Sequence, residues 1–185
     1  MRLLDISQIN AAKTAPFIGI QNTVNNRLQA ELEKFDDQTI SKKTFLKRAK
    51  SILTSGYKTA YLKGSGLSSL DQHGKDWITA FSEKQFPYLE SFAEDIDASE
   101  GMMDYDTRAE MYAKAVQSAY WSGSAAEAPE GVKMAWITTA NESCEDCLEL
   151  ESGGPYSPDE LPTTPGAGDT KCLSRCRCYL VQVGE

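Results

Sequence analysis

Apolar residues recur at helical spacing through the first part of the chain. Four of them in the segment 22–36 lie four, four and three residues apart, which places them on one helix face. They are Val24, Leu28, Leu32 and Phe35. The same period continues through residues 39–63, where Ser41 is suited to cap the start and the run Gly64-Ser65-Gly66 to end the helix. The pattern therefore predicts two successive helices.

Two further segments show the same period. Residues 69–96 carry an apolar stripe, and Pro87 within it predicts a division or kink because proline cannot donate to the helix ladder. Residues 104–128 are rich in alanine, and their apolar face mixes small residues with aromatic ones. Small side chains let another helix approach closely, so we expect a helix crossing on this segment.

The pattern changes after residue 128, where Pro129 and Gly131 end the helical period. Residues 134–139 and 178–183 are rich in β-branched and aromatic residues and are predicted to be strands. Between them, residues 151–170 contain many prolines and glycines and are predicted to form a long loop. Each strand is too short to be stable alone, so we expect the two to pair antiparallel.

The chain of 185 residues has a net charge of −8, which excludes indiscriminate DNA binding through bulk positive charge. The charge is uneven, because residues 1–66 hold 11 Lys and Arg against 5 Asp and Glu, whereas residues 67–185 hold 8 against 22. A basic run in the first half is either the solvated face of a helix or a surface for a partner. It consists of Lys42, Lys43, Lys47, Arg48 and Lys50.

No apolar stretch approaches the roughly 18 residues of a membrane-spanning helix. Asp5 breaks the N-terminal apolar run before it reaches the about 7–15 residues of a signal peptide. We therefore expect a soluble protein that is made in the cytoplasm and has no membrane partner. In that reducing compartment, clustered cysteines favour metal binding over disulfides. The single histidine, His73, excludes a multi-histidine metal site and is interpreted as an exposed or capping residue.

All five cysteines lie after residue 143, in two groups. A C-x-x-C pair followed, after a loop, by a second cysteine cluster is a donor set for structural zinc. Because zinc normally takes four protein ligands, the preferred set leaves Cys178 as the substitute. That set is Cys144, Cys147, Cys172 and Cys176. Nearby cationic residues are suited to offset the net −2 charge of a four-thiolate zinc. They are Lys171, Arg175 and Arg177.

Other interpretations of the cysteines stay open, namely two disulfides with one free thiol, or cysteines that only fill a core. We do not expect a redox C-x-x-C, since the sequence does not predict that the pair opens a helix after a strand. We do not expect a catalytic zinc either, because such a site keeps an open position and typically uses His or carboxylate ligands. No nucleophile–base pair or phosphate-binding loop is visible, so we expect the protein not to be an enzyme.

The predicted fold is therefore mainly α, and α+β overall. Residues 1–128 form a helical body whose basic half extends to about residue 66. Residues 129–185 form a cysteine-rich β module, in which structural Zn²⁺ holds a β-hairpin around the long proline- and glycine-rich loop.

Residues 100–183 resemble the C-terminal module of the phage Mu F-like head morphogenesis (minor head protein) family. The likeness rests on a strand opened by Trp136, the pair Cys144-Glu-Asp-Cys147, a loop with Gly153-Gly-Pro-Tyr and Leu161-Pro-Thr-Thr-Pro, and a closing Cys176-Arg-Cys178 strand. The upstream helix also matches, at Arg108, Ala109, Tyr112, Ala113 and Tyr120. The family usually has a His three residues before its C-R-C, whereas this chain has Cys172 four residues before, and Arg175 stands where Asn is usual.

The resemblance implies a structural virion protein that acts in head assembly or in genome packaging and delivery near the portal. It implies assembly in the cytoplasm of the bacterial host and contact with the portal or the major capsid protein, and residues 1–66 are a candidate surface for packaged DNA. The alternative is a zinc-ribbon-like module that binds nucleic acid or a regulator. That alternative predicts a basic zinc end, whereas residues 141–170 are acidic.

Overall fold

The computed structural model describes residues 16–99, 105–139 and 143–184. Residues 1–15 of the predicted basic half lie outside the described residues. The helices are α1 Ile18–Asp36, α2 Lys42–Ser65, α3 Gln72–Ser99, α4 Tyr105–Lys114, α5 Val116–Ala126 and α6 Glu145–Gly153. The strands are β1 Lys133–Ile137 and β2 Tyr179–Val183, and short 3₁₀ turns occur at Pro158–Glu160 and Leu173–Arg175. The fold is mainly helical with a small two-stranded antiparallel sheet, which confirms the predicted α+β class.

The first two helices follow the apolar pattern. The four residues predicted to share one face of α1 are all buried. Ser41 caps α2, and its side chain accepts a hydrogen bond from the backbone N–H of Thr44. Gly66 ends α2 in the left-handed conformation at φ 72°, where glycine has no steric penalty. Both predicted boundaries of α2 are thus confirmed.

The next two helical segments do not break where the sequence predicts. Pro87 lies inside α3 without dividing it, because α3 is held by buried side chains beyond the proline, among them Leu89 and Phe92. The segment 104–128 instead breaks at Ala115 into α4 and α5. The break frees the carbonyl of Lys114, and the side-chain amide of Gln21 on α1 donates to it at 3.1 Å. A side chain from another helix thus supplies the hydrogen bond that the carbonyl lacks at the break.

Helices α2 and α5 cross closely at two glycines, as the small residues of the segment 104–128 predict. A Cβ added at Gly64 would overlap the backbone carbonyl of Tyr120, and one added at Gly123 would overlap the carbonyl of Tyr61. The helix backbones are therefore in direct contact at this crossing, and no side chain separates them.

Strands β1 and β2 pair antiparallel, as predicted, with Lys133 opposite Val183 and Ile137 opposite Tyr179. Tyr156 extends this sheet by exchanging two backbone hydrogen bonds with Met134, at 2.7 and 3.0 Å. Met134 and Trp136 on β1 are buried and belong to the same apolar core as the helices. The division at residue 128 stays a prediction, and the described residues on both sides of it share one core.

Candidate metal centre

The five cysteines lie on short segments around α6 and before β2. Cys144 is the residue immediately before α6 and Cys147 lies in its first turn. Cys172 and Cys176 flank the 3₁₀ turn Leu173–Arg175, and Cys178 immediately precedes β2. Residues three apart in a helical turn lie on the same side, so the C-x-x-C pair presents both thiols in one direction.

The helix α6 corrects two expectations. Sequence reasoning placed a loop at 151–170, but α6 extends to Gly153, and Cys144 and Cys147 do open a helix that follows β1. The physical reason is the pair Glu145 and Asp146, since acidic side chains in a first turn stabilise a helix N-terminus. The two acidic residues directly after Cys144 were the signal that could have predicted the helix start. The reason given against a redox pair was therefore wrong.

The sulfurs fall into two groups of three that share Cys147, and within each group all sulfurs lie within 4.8 Å of one another. One group is Cys144, Cys147 and Cys172, and the other is Cys147, Cys176 and Cys178. The Sγ of Cys147 lies 3.6 Å from that of Cys172 and 3.8 Å from that of Cys176. A Zn–S bond of about 2.3 Å gives an edge of about 3.8 Å for a tetrahedron of sulfurs, whereas a disulfide joins sulfurs about 2.05 Å apart. The five thiols are free, and the two distances match metal coordination.

The second group is more deeply buried than the first. Cys147 is 1% exposed and Cys176 and Cys178 are each 4% exposed, while Cys144 and Cys172 are half-buried. Both groups consist of cysteines alone, so the described residues offer neither histidine nor carboxylate within them. A buried, all-thiolate donor set is typical of a structural metal site. The cluster could hold a metal ion, as the sequence predicts.

The thiols differ in acidity because they are crowded together. Burial raises the pKa of Cys147. The Cys178 sulfur, hydrogen-bonded to the Cys176 thiol, and burial together raise the pKa of Cys176. The same hydrogen bond lowers the pKa of Cys178 to about 6. At Cys144, burial acts to raise the pKa, but hydrogen bonds from Cys147 and Cys172 outweigh it and lower the pKa. Cys178 and Cys144 are therefore the two thiols of the cluster whose acidity is increased.

A buried indole fits an anionic sulfur at this site. The Nε1 of Trp136 is buried and has no hydrogen-bond partner among the described residues. It lies near Cys178 and contributes to the lowered pKa of that thiol. Indole N–H is only a donor, and a neutral thiol is a weak acceptor, so the environment favours a thiolate at Cys178. This observation and the donor set both fit a thiophilic metal ion.

Polar contacts fix the segments that carry the thiols. Lys171 forms ion pairs with Glu145 at 2.6 Å and Asp146 at 3.6 Å, and its backbone N–H donates to Asp146 at 2.7 Å. The side-chain amide of Gln117 on α5 donates to the carbonyl of Cys178 at 2.8 Å. Lys171 thus neutralises acidic residues of α6, in contrast to its expected role of offsetting thiolate charge.

The structure brings the five predicted ligands into two overlapping groups of three, which places Cys176 with Cys178 and in a different group from Cys144 and Cys172. The choice of four ligands among the five stays a prediction. His73 is exposed in the first turn of α3, as expected, and belongs to neither sulfur group. Within the described residues, no helix is both long and apolar enough to cross a membrane.

The predicted basic run is partly neutralised by nearby carboxylates. Lys42 pairs with Glu94 at 2.6 Å, and Arg48 pairs with Glu31 at 2.9 Å. Lys50 pairs with a carboxylate of α3 as well. Two members of the run, Lys43 and Lys47, are exposed and form no ion pair with the described residues. Most of this run therefore joins α2 to neighbouring helices.

Comparisons of the chain with protein-family models, with curated proteins and with solved structures gave no match.

Proposed function

We propose that this protein is a structural phage head protein whose C-terminal end is held together by thiolate-bound zinc. The observation that carries the metal part is the convergence of five thiols into two groups that share Cys147. The likeness of residues 100–183 to the Mu F-like head morphogenesis family supports the virion part.

In this proposal Cys144, Cys147, Cys172 and Cys176 hold the ion, and Cys178 is the substitute ligand. Bound zinc would supply a crosslink between the start of α6 and the segment that precedes β2. The crosslink would stabilise a region in which loops connect short helical turns and two short strands. The proposed role is mechanical and involves no catalysis.

The proposed partners are the portal or the major capsid protein, with the chain located in the virion after assembly in the host cytoplasm. Ion pairs of Lys42 and Arg48 leave less positive charge for packaged DNA, so protein contacts are the favoured use of the helical surface. A zinc-ribbon-like nucleic-acid module is disfavoured because α6, beside the cluster, carries four acidic residues and no basic one.

The metal part is tested by elemental analysis of protein purified under reducing conditions. We expect one zinc per chain, close to none in Cys147→Ser, and nearly full occupancy in the matched variant Cys178→Ser. Less than about half a zinc per chain in the unmodified protein would contradict the proposed site. Loss of zinc in Cys178→Ser but not in Cys176→Ser would instead reverse the assignment of ligand and substitute.

The virion part is tested by mass spectrometry of purified proheads and mature particles. We expect the protein in at least one of them at low copy number, and its absence from both would refute the role.

Charge reversal of Lys43 and Lys47 tests the basic surface. Unchanged particle incorporation and infectivity would show that these two exposed lysines contact neither capsid nor DNA.

A further inference from the structure

Large apolar side chains are exposed at four of the described positions. They are Ile18, Tyr88, Leu148 and Leu173, with 41%, 63%, 51% and 48% of their surface exposed. Two of them, Tyr88 and Leu173, border the same pocket, which has a volume of about 210 Å³. Single exposed apolar residues are ordinary, but two that border one pocket make that pocket a candidate binding surface.

The pocket lies where α3, α4 and the turn of the thiol cluster meet. Tyr88 comes from α3, Met111 and Tyr112 come from α4, and Leu173 comes from the turn between Cys172 and Cys176. Leu173 has φ 52°, a left-handed conformation that is rare for a bulky side chain. Such a conformation persists only where the surrounding structure imposes it. The thiol-bearing segment therefore holds Leu173 at the edge of the pocket.

Three basic side chains lie in or beside the pocket, and one of them has no acidic partner among the described residues. Lys84 and Arg108 line it, and each is paired with an aspartate. Arg175 donates to the Sδ of Met111 at 3.6 Å and forms no ion pair with the described residues. An apolar pocket beside an uncompensated guanidinium matches an apolar side chain that is flanked by carboxylates.

This chain carries such a side chain on α6. Leu148 is exposed on a helix of nine residues that contains four acidic residues and no Lys or Arg. Lys171 holds Glu145 and Asp146, and Glu151 accepts hydrogen bonds from Thr138. Glu149, next to Leu148, accepts a hydrogen bond from Ser152 at its backbone carbonyl, but its carboxylate forms no ion pair within the described part of the chain. Leu148 and Glu149 together therefore have the chemistry that the pocket fits.

The two features lie at the same end of the molecule. Leu148 follows Cys147 and Leu173 follows Cys172, and the sulfurs of these two cysteines are 3.6 Å apart. In a two-fold dimer each copy presents the same patch, so one copy's side chain enters its partner's pocket and the reverse contact is identical. We propose that two copies of this chain associate in this way, with Leu148 of each inserted between Tyr88 and Leu173 of the other. This inference goes beyond the proposed function and does not require the virion role.

The test is sedimentation velocity of the metal-loaded full chain over the micromolar concentration range. We expect a concentration-dependent dimer, and Leu148→Glu and Leu173→Glu should each weaken dimerisation by at least about tenfold, as expected for a buried anchor. Ile18→Glu is the matched control, because Ile18 is also exposed but lies outside the pocket. It should leave the dimer unchanged.

Mixing the two variants gives a sharper readout. The Leu148→Glu variant keeps an intact pocket, and the Leu173→Glu variant keeps the Leu148 side chain. In a mixed dimer, Leu148 of one variant can therefore enter the pocket of the other, a contact that neither variant forms alone. We expect the mixture to dimerise more strongly than either variant. A monomeric unmodified protein, unchanged dimerisation of the two variants, or no recovery on mixing would each overturn the inference.

Zinc content is measured on the same samples. Zinc-loaded but monomeric protein would refute the dimer and leave the proposed metal site standing. If the protein forms the dimer but binds no zinc when zinc is supplied, the metal site is refuted and the docking surface stands.

Discussion

The crossing of α2 and α5 leads to a prediction for Gly123→Ala. An added Cβ at Gly123 would overlap the carbonyl oxygen of Tyr61 and would lie 3.0 Å from the backbone N–H of Ser65. Both neighbours are backbone atoms of α2, so neither can rotate away as a flexible side chain does. The helices can accept the methyl group only by moving apart, which loosens the buried side chains on both sides.

The expected magnitude combines two opposing effects. Alanine favours a helix interior over glycine by about 1 kcal/mol, whereas forcing an extra carbon into a packed contact costs about 3 kcal/mol when backbone must shift. We therefore expect Gly123→Ala to reduce the free energy of unfolding by about 2 kcal/mol. In a chain of this size that corresponds to a melting temperature lower by roughly 4–8 °C.

Gly19→Ala is the matched control, because a Cβ at Gly19 in α1 would have no atom within 4 Å. It should raise the free energy of unfolding by about 0.4–1 kcal/mol, since alanine restricts the unfolded chain. Urea denaturation of the metal-loaded protein measures both values, with equal slopes as the check on the comparison. If Gly123→Ala is as stable as the unmodified protein, the helices are not in backbone contact and the reasoning fails.

Three further predictions concern the core and the cluster. Gln117→Ala should reduce the free energy of unfolding by about 1–3 kcal/mol, because it leaves the buried carbonyl of Cys178 without its hydrogen-bond donor. Urea denaturation measures this change, and a change near zero would contradict the contact. Burial raises the pKa of Tyr112 from 10.0 to about 12. The stabilisation that the neutral hydroxyl gives the folded state is therefore complete below pH 10 and is lost as the pH rises through about 12. Tyr112→Phe should reduce this alkaline loss of stability, and identical pH profiles of unfolding would refute it. A chelator should lower the melting temperature of the zinc-loaded protein, since only the folded chain assembles the ligands, and an unchanged melting temperature would rule out a structural role for the metal.

The helices that could be predicted are those whose apolar period coincides with clear end signals. α2 has both, with Ser41 at its start and Gly66 at its end, and its bounds differ from the prediction by only a few residues. Pro87 does not divide α3, because the missing donor costs one hydrogen bond while packing along the rest of α3 holds the helix together. A kink at Pro87 stays a prediction. The break at Ala115 has no local signal, since its compensation comes from Gln21, far away in the sequence.

The membership of the thiol cluster was predictable from spacing, but its internal arrangement was not. C-x-x-C and C-x-C spacings fix which thiols are local neighbours. Which thiols meet across the intervening segment depends on the folding of residues 148–171 and on contacts such as Lys171 with Asp146. The sequence analysis did not predict α6, whose start is stabilised by the acidic residues of its first turn.

The odd number of cysteines follows a simple rule once the two sulfur groups are known. A four-thiolate set built from either group plus one thiol of the other must contain Cys147, because Cys147 belongs to both groups. Cys144, Cys172, Cys176 and Cys178 can each be left out of such a set, but Cys147 cannot. It is also the most buried of the five, at 1% exposed. In the proposed zinc site, the fifth thiol is therefore an alternative ligand, and we expect the loss of Cys147 to weaken metal binding more than the loss of any other cysteine.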